Sequence, residues 1–339
     1  MEPLYFSFII PVFNRPEEID QLLESMVKLE GVKQFEVVIV EDGSSLDSRA
    51  IVQSYMDKLN VSYYFKANSG PGSSRNYGMR RAKGNYFIIL DSDCLLPANY
   101  LKTVQDNLKA EFVDCFGGPD TAHGSFSNLQ KAINFAMTSA ITTGGIRGGR
   151  AGKKTFQPRS FNMGISKNAF EASGGFGNIH PGEDPDLAIR IKKMGFKTKL
   201  FPQAFVYHKR RISWHKFLLQ VYKFGLVRPI LNHWHPGTSR LAYWFPSLFT
   251  IGLLSSLVLL CFGCVWPIGL YLLYFFVVFM MALFTTKNIL VAMQSVVAIF
   301  LQFLGYGYGF LKSALLLFLS KKTPQNQFPN LFFDHGEQY

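Results

Sequence analysis

Two short, mostly apolar runs in this chain end abruptly on acids: Phe35–Val40 on Glu41-Asp42, and Tyr86–Leu90 on Asp91-Ser92-Asp93. Such runs, without strict polar alternation, read as strands buried on both faces, the kind found in parallel sheets covered by helices. Carboxylates at the ends of those strands lie at the mouth of the sheet, where open α/β folds bind their ligands. A further acidic group, Gly182-Glu183-Asp184-Pro185-Asp186, opens a helical pattern. Three acidic stations around one sheet edge point to chemistry on a bound substrate rather than to passive binding.

The strand and helix signals alternate through the first 120 residues. Phe6–Phe13 reads as a strand, Pro16–Leu29 as a helix opened by proline, and Phe35–Val40 as the second strand. Asp42-Gly43-Ser44-Ser45 is a turn into a helix that runs to Leu59, and Val61–Lys66 is a third strand. Gly70-Pro71-Gly72-Ser73-Ser74 leads into a helix with Arg75, Arg80 and Arg81, followed by a strand at Tyr86–Leu90. Pro97–Lys109 reads as a helix, Phe112–Gly117 as a fifth strand, Pro185–Met194 as a helix and Lys199–Tyr207 as extended chain. This order predicts an α/β domain over 1–210 with a Rossmann-like, doubly wound, mostly parallel sheet. Thr142–Lys154, rich in glycine and basic residues, reads as a long loop, and loops of that length are commonly functional or disordered.

The net charge of +12 is unevenly spread. Residues 1–186 hold 19 Lys/Arg against 21 Asp/Glu, whereas 187–339 hold 16 against two, with no acid from Leu187 to Phe333. Basic stretches meet nucleic acid or anionic lipid. Here the basic stretch runs straight into apolar sequence, so membrane lipids are the expected partner and nucleic acid is not. Leu241–Thr286 is 46 residues without a charge, enough for two spans of about 20 residues each with a turn near Gly263–Pro267. Trp244, Trp266 and Tyr271 suit the interfacial belts. Asn288–Leu311 adds 24 uncharged residues ending in Gly305-Tyr306-Gly307-Tyr308-Gly309, either a third span or a re-entrant or interfacial helix. Ile212–Arg228 sets Phe217, Leu218, Val221 and Leu226 among Lys216, Lys223 and Arg228, the pattern of an amphipathic helix on a membrane surface or of a helix packed on its own domain.

The expected division is therefore 1–210 for the α/β domain, 211–240 for a basic juxtamembrane segment, 241–322 for membrane helices and 323–339 for a tail. Phe6–Phe13 is broken by Pro11 and lacks a basic flank and a cleavage site, so it is not a secretory leader. The α/β domain is expected on the cytoplasmic face of the cell (inner) membrane. Cys94 and Cys115 are isolated and Cys261 and Cys264 lie in the apolar hairpin, which supports neither a disulfide framework nor a zinc site.

Each candidate chemical residue has two readings. Asp91 and Asp93 have the spacing at which carboxylates share a divalent cation, and such a cation offsets charge on a departing diphosphate; acids after a strand also simply close turns. Asp184 is either a general base or a helix N-cap with Pro185 at the first helical position. Capping leaves unexplained why three acids gather beside Ser173-Gly174-Gly175-Phe176-Gly177. His208 is a competent ligand for Mn or Mg in mixed company, or a structural histidine. Arg75 can meet a phosphate or pack over an acid. Gly70-Pro71-Gly72 is no P-loop, because no Gly-Lys-Ser/Thr follows.

In order along the chain, Ile9-Ile10-Pro11-Val12-Phe13-Asn14, Val40-Glu41-Asp42-Gly43-Ser44, Asp91-Ser92-Asp93, Asn162-Met163-Gly164-Ile165, Gly174-Gly175-Phe176 and Gly182-Glu183-Asp184 resemble the inverting family-2 glycosyltransferases of the GT-A fold, over residues 5–210. The resemblance implies that Pro11, Phe13 and Asp42 line the nucleotide base and ribose, with Arg75 and Ser92 near the base and phosphates. It implies a Mg or Mn cation on Asp91 and Asp93, with His208 as a further ligand, and Asp184 as catalytic base supported by Glu183. The implied donor is a nucleotide sugar, UDP-linked by family expectation, and the acceptor is lipid-linked or saccharide, in glycan or cell-envelope synthesis. No Gln-x-x-Arg-Trp follows Asp184, a departure from relatives that make cellulose- or hyaluronan-like polymers, so transfer of a single sugar is expected. Two alternatives stand beside it: a polyprenyl-phosphate sugar synthase, whose phosphate acceptor needs no strong base, and a non-catalytic membrane scaffold that kept the fold.

Overall fold

The computed structural model describes residues 3–31, 34–143, 157–209 and 213–333. Most of the Gly-rich stretch Thr142–Lys154, the first residue of the Ile212–Arg228 segment and the end of the 323–339 tail lie outside the described residues. The chain forms two compact units: Met1–His123 with Ala151–Lys209 and Phe332–Tyr339, and Gly124–Arg150 with Arg210–Leu331.

The strands, all in the first unit, are β1 (Phe6–Val12), β2 (Phe35–Asp42), β3 (Val61–Lys66), β4 (Tyr86–Leu90), β5 (Cys94–Leu95), β6 (Cys115–Gly117), β7 (Asp120–Thr121), β8 (Asn162–Ser166), β9 (Thr198–Leu200) and β10 (Val206–His208). Its first helices are α1 (Pro16–Val27), α2 (Arg49–Gln53), α3 (Pro71–Arg81) and α4 (Tyr100–Ala110). Helices α5 (Asn128–Thr138) and α6 (Ala140–Thr143) belong to the second unit, and α7 (Lys167–Ser173) and α8 (Glu183–Lys193) return to the first.

Seven strands form one sheet in the order β3-β2-β1-β4-β8-β6-β9. β1 pairs in parallel with both β2 and β4, so strand order reverses on either side of β1. The crevice at such a switch point receives ligands in open α/β sheets, and here it gathers the residues after β1, Asp42 and Asp91. The strands serve two cores by period two. Phe8, Ile10, Val12, Val37, Ile39, Ile88 and Leu90 pack with Leu22, Leu23, Leu101 and Val104 of α1 and α4. Ile9, Val38, Val40, Phe87 and Ile89 pack with Met79 of α3 and Leu187 and Ile191 of α8. Burial on both faces is why these runs show so little polar alternation. Within Phe35–Val40 the exception is Glu36, which is satisfied by the Ser7 hydroxyl at 2.7 Å and the Lys83 N–H at 2.5 Å.

Three features differ from the sequence reading: the helix expected to run to Leu59 is α-helical only over Arg49–Gln53, and two concern the sheets. An antiparallel strand, β8, inserts between β4 and β6, so only part of the Phe112–Gly117 run is strand. Asn162-Met163-Gly164 gives no strand signal, yet glycine is required there: a Cβ on Gly164 would lie 1.9 Å from Phe116 Cε1. The extended chain Lys199–Tyr207 is also not one strand. It breaks into β9 on the large sheet and β10, which joins β5 and β7 in a three-stranded sheet.

The second unit adds α9 (Trp214–Trp234), α10 (Phe245–Cys261), α11 (Trp266–Thr286) and α12 (Ile289–Leu319). Ile133, Phe217, Val221, Phe249, Val278 and Phe303 form its core. The glycine repeat Gly305–Gly309 sits inside α12, which runs unbroken past Leu311. It makes a seam with α9, because Cβ atoms on Gly225 and Gly309 would lie 2.3 Å from the Tyr306 carbonyl and 2.4 Å from the Tyr222 carbonyl. Small residues allow this close backbone approach, the packing mode common between helices in membranes. α11 and α12 are long and apolar enough to cross a membrane, while α10 has 17 residues.

Candidate active site

The loops after β1 and β2 are fastened to each other. Asn14 takes a left-handed φ of 53°, tolerated by asparagine better than by most residues. Its N–H donates to Ser44 Oγ at 2.7 Å, and its Oδ1 accepts from the Leu46 N–H at 3.0 Å. This turn leaves Phe13 about half exposed at the sheet edge, with Pro11 partly covered on β1. Asp42 is buried, and its carboxylate accepts the N–H groups of Ser69 and Gly70 at 2.9 Å each, together with Lys66 Nζ. Asp42 therefore shapes the turn into α3. Gly70 has φ 87° and carries the ring of Phe333, where a Cβ would be 2.3 Å from Phe333 Cδ2.

Asp93 and His208 meet because β10 pairs with β5, which places His208 opposite Cys94. His208 Nε2 lies 3.1 Å from Asp93 Oδ1, and its ring stacks on Phe161 at 5.0 Å. Asp93, Cys94 and His208 offer ligand atoms within 4.8 Å of one another. Burial pushes the Cys94 thiol well above its usual range, while Asp93 and His208 offer a carboxylate oxygen and an imidazole nitrogen. That mixed O/N set fits Mg or Mn. Arg15 Nη1 approaches the other Asp93 oxygen at 3.4 Å. Asp91 is placed differently: its Oδ1 accepts from Arg75 Nη2 at 2.7 Å. Ser92, between them, is buried.

Arg75 joins two of the acidic stations. Nearly inaccessible itself, it donates to Asp91 through Nη2 and to Glu183 Oε1 through Nη1 at 3.0 Å. Glu183 also meets His180 Nδ1 at 3.1 Å. Burial by itself would raise the Glu183 carboxyl, but His180 and Arg75 outweigh it and bring it down to about 2. Glu183 is thus a fixed anion rather than a proton carrier. Gly182, at φ 124°, is the N-cap of α8, so Asp184 lies in the first turn and is not the cap. The capping explanation for Asp184 falls away, since the helix begins two residues earlier than its proline implies. Asp184 Oδ2 lies 3.5 Å from Arg159 Nη1.

Several partners escape the sequence reading. Arg15, Arg159 and His180 carry no motif of their own, and Phe333 lies 263 positions from the Gly70 it covers.

A family model described as Glycosyl transferase family 2 matches residues 7–174, from β1 through α7. This part of the chain belongs to that family. The poly(ribitol-phosphate) beta-N-acetylglucosaminyltransferase TarS of Staphylococcus aureus is 37% identical over 112 residues, which is 32% of this chain and 19% of that protein. An uncharacterised glycosyltransferase of Rickettsia bellii is 36% identical over 96 residues, 28% of this chain and 14% of the relative. The chain thus matches less than a fifth of the length of these relatives. The mannosyltransferase PcManGT of Pyrobaculum calidifontis, solved with GDP-Man and Mn2+, superposes with TM-score 0.58 over 95% of this chain and 89% of that one. At 15% identity this likeness is one of fold. The family-2 domain and its mostly parallel GT-A-type sheet therefore agree with the reading of the motifs.

Proposed function

We propose that this glycosyltransferase is anchored in a membrane and transfers one sugar, with inversion, from a nucleotide-sugar donor to a hydroxyl of a lipid-linked or saccharide acceptor. The observation that carries this reading is the chain Asp91–Arg75–Glu183, with links of 2.7 and 3.0 Å through the buried Arg75. It ties the metal-motif strand end to the helix that bears Asp184. Asp184 removes the acceptor's proton as its oxygen attacks the anomeric carbon, and the bond to the nucleoside diphosphate breaks. Pro11, Phe13, Asp42 and Ser92 form the nucleotide edge. Asp91, Asp93 and His208 would hold a Mg or Mn cation, whose charge stabilises the leaving diphosphate. A screen of UDP- and GDP-sugars with the purified full chain tests the reading. Mn-dependent transfer with an inverted anomeric proton signal by NMR is expected. Retained configuration sinks inversion, and the lack of any calorimetric heat with UDP and Mn or GDP and Mn favours a non-catalytic scaffold.

One observation favours a second reading, a polyprenyl-phosphate sugar synthase. Arg159, beside Asp184, suits a phosphate acceptor.

The membrane reading has a parity. Phe332 pairs with Ile179 and the Phe333 N–H donates to the Asn178 carbonyl at 3.0 Å, so the chain returns to the unit it left at Lys209. A segment that leaves and rejoins one side of a bilayer crosses it an even number of times. α11 and α12 are long and apolar enough for two crossings, whereas the 17 residues of α10 reach about 26 Å, short of a core about 30 Å thick. Lys287 alone would then face the far side, with Lys216, Lys223, Arg240, Lys321 and Lys322 on the near side, the asymmetry of a cytoplasmic face. With the native cysteines replaced by serine, Glu24→Cys and Asn330→Cys should react with an impermeant maleimide from the same side, and Lys287→Cys from the other. Co-labelling of Asn330→Cys with Lys287→Cys would overturn two crossings.

A further inference from the structure

The second unit contains no Asp or Glu, in either 124–150 or 210–331. A cation buried in it therefore has no carboxylate of its own unit to meet. Most of its basic side chains avoid the difficulty: Lys216, Lys223, Lys287 and Lys312 are exposed. Arg228 does not. It lies on α9 with 8% of its surface accessible, and its guanidinium sits 4.4 Å above the ring of the buried Tyr243. Stacking occupies the face of the guanidinium and leaves its edge donors unspent. Arg228 Nη1 is fully enclosed and makes no hydrogen bond. Asn232, one helical turn further, also has a buried side-chain oxygen without a hydrogen bond. A buried charge with an unspent donor is costly unless an anion meets it.

The geometry points to Arg228, with the Asn232 amide, as a binding site for a phosphate group carried on a lipid. A planar guanidinium fork matches phosphate oxygens two at a time, and the amide beside it can donate or accept as the ligand requires. The anion chemistry follows from the acid-free unit alone. The lipid source rests on the two-crossing membrane reading, in which the α9–α10 end of the unit lies at the headgroup level. No donor, acceptor or transfer step enters, so failure of the glycosyl-transfer reading leaves the inference intact.

Native mass spectrometry of the full chain in detergent, titrated with phosphatidylglycerol or with phosphate-free diacylglycerol, tests it. Arg228→Gln is expected to weaken phosphatidylglycerol retention by about tenfold or more, with diacylglycerol retention unchanged. Arg228→Lys keeps the charge but loses the fork, and should fall between; it carries the test should Arg228→Gln not fold. In a parallel arm, inorganic phosphate is titrated against thermal unfolding. A stabilisation that Arg228→Gln removes shows that the anion alone suffices, and dependence on Arg228 in the lipid arm only shows that the acyl chains are needed. Equal binding by wild type and both variants in both arms overturns the site.

Discussion

Asp184→Asn should lower turnover on a hydroxyl acceptor by about 10²–10⁴-fold while donor affinity stays near that of the wild type. The amide has the shape of the carboxylate, and its oxygen can still accept from Arg159, which lies 3.5 Å from Asp184 Oδ2 in the wild type. What it cannot do is take a proton. The helix start is also preserved, because the N-cap is Gly182 and not Asp184. Asparagine caps a helix as well as aspartate does, so Asp184→Ala is the variant that separates the two roles: a true cap would cost about 1 kcal/mol on that substitution, and an unchanged melting temperature beside lost transfer marks a base. The check is kcat at saturating acceptor, beside donor Kd by calorimetry. Near-normal transfer would remove the hydroxyl-acceptor reading and leave the phosphate acceptor, and Arg159→Ala should then lose transfer instead.

The inner parallel strands β1, β2 and β4 were legible because they are buried on both faces and show it as mostly apolar runs; Tyr86–Leu90 has the same bounds in sequence and structure. The antiparallel strand β8 was not legible. Its sequence Asn162-Met163-Gly164-Ile165-Ser166 is shaped by one neighbour, the ring of Phe116, and by the Tyr100 hydroxyl that donates to Asn162 Oδ1 at 2.6 Å. Local pattern carries no record of such distant demands. The same limit governs the site. The acidic motifs stand out along the chain, but the arginines and histidine that fix them arrive from elsewhere: Arg15 reaches Asp93 across 78 positions and Arg75 reaches Glu183 across 108. In sequence His208 reads as a Mn or Mg ligand or a structural histidine with no partner in view; the short antiparallel pairing of β10 with β5 sets it against Asp93. Asp184 was ambiguous for a further reason, since a proline at the third residue after a cap and one at the first look alike in sequence.

Arg75→Met should destabilise the first unit by about 3–5 kcal/mol, the usual cost of removing one partner from a buried charge pair. Nearly all of that cost belongs to Glu183, whose side chain is 5% exposed; Asp91, at 31%, is open enough for water to replace its lost partner. The loss has a pH signature. The Glu183 carboxyl is held down to about 2 when folded, because His180 and Arg75 outweigh the burial that would raise it. A carboxyl lowered on folding contributes stability that is fully present above its unfolded value, about 4.3, and is lost as pH falls through the folded value. Without Arg75 the folded value rises, so the acid limb of stability should move to higher pH in Arg75→Met. The double variant Arg75→Met/Glu183→Gln removes the stranded charge and should recover part of the loss, a non-additivity expected of groups in direct contact. Urea denaturation midpoints followed from neutral to acidic pH measure all three. If the acid limbs of the wild type and Arg75→Met coincide and the double variant is simply additive, Arg75 and Glu183 do not act as a pair, and the link between the metal-motif strand and the helix of Asp184 loses its support.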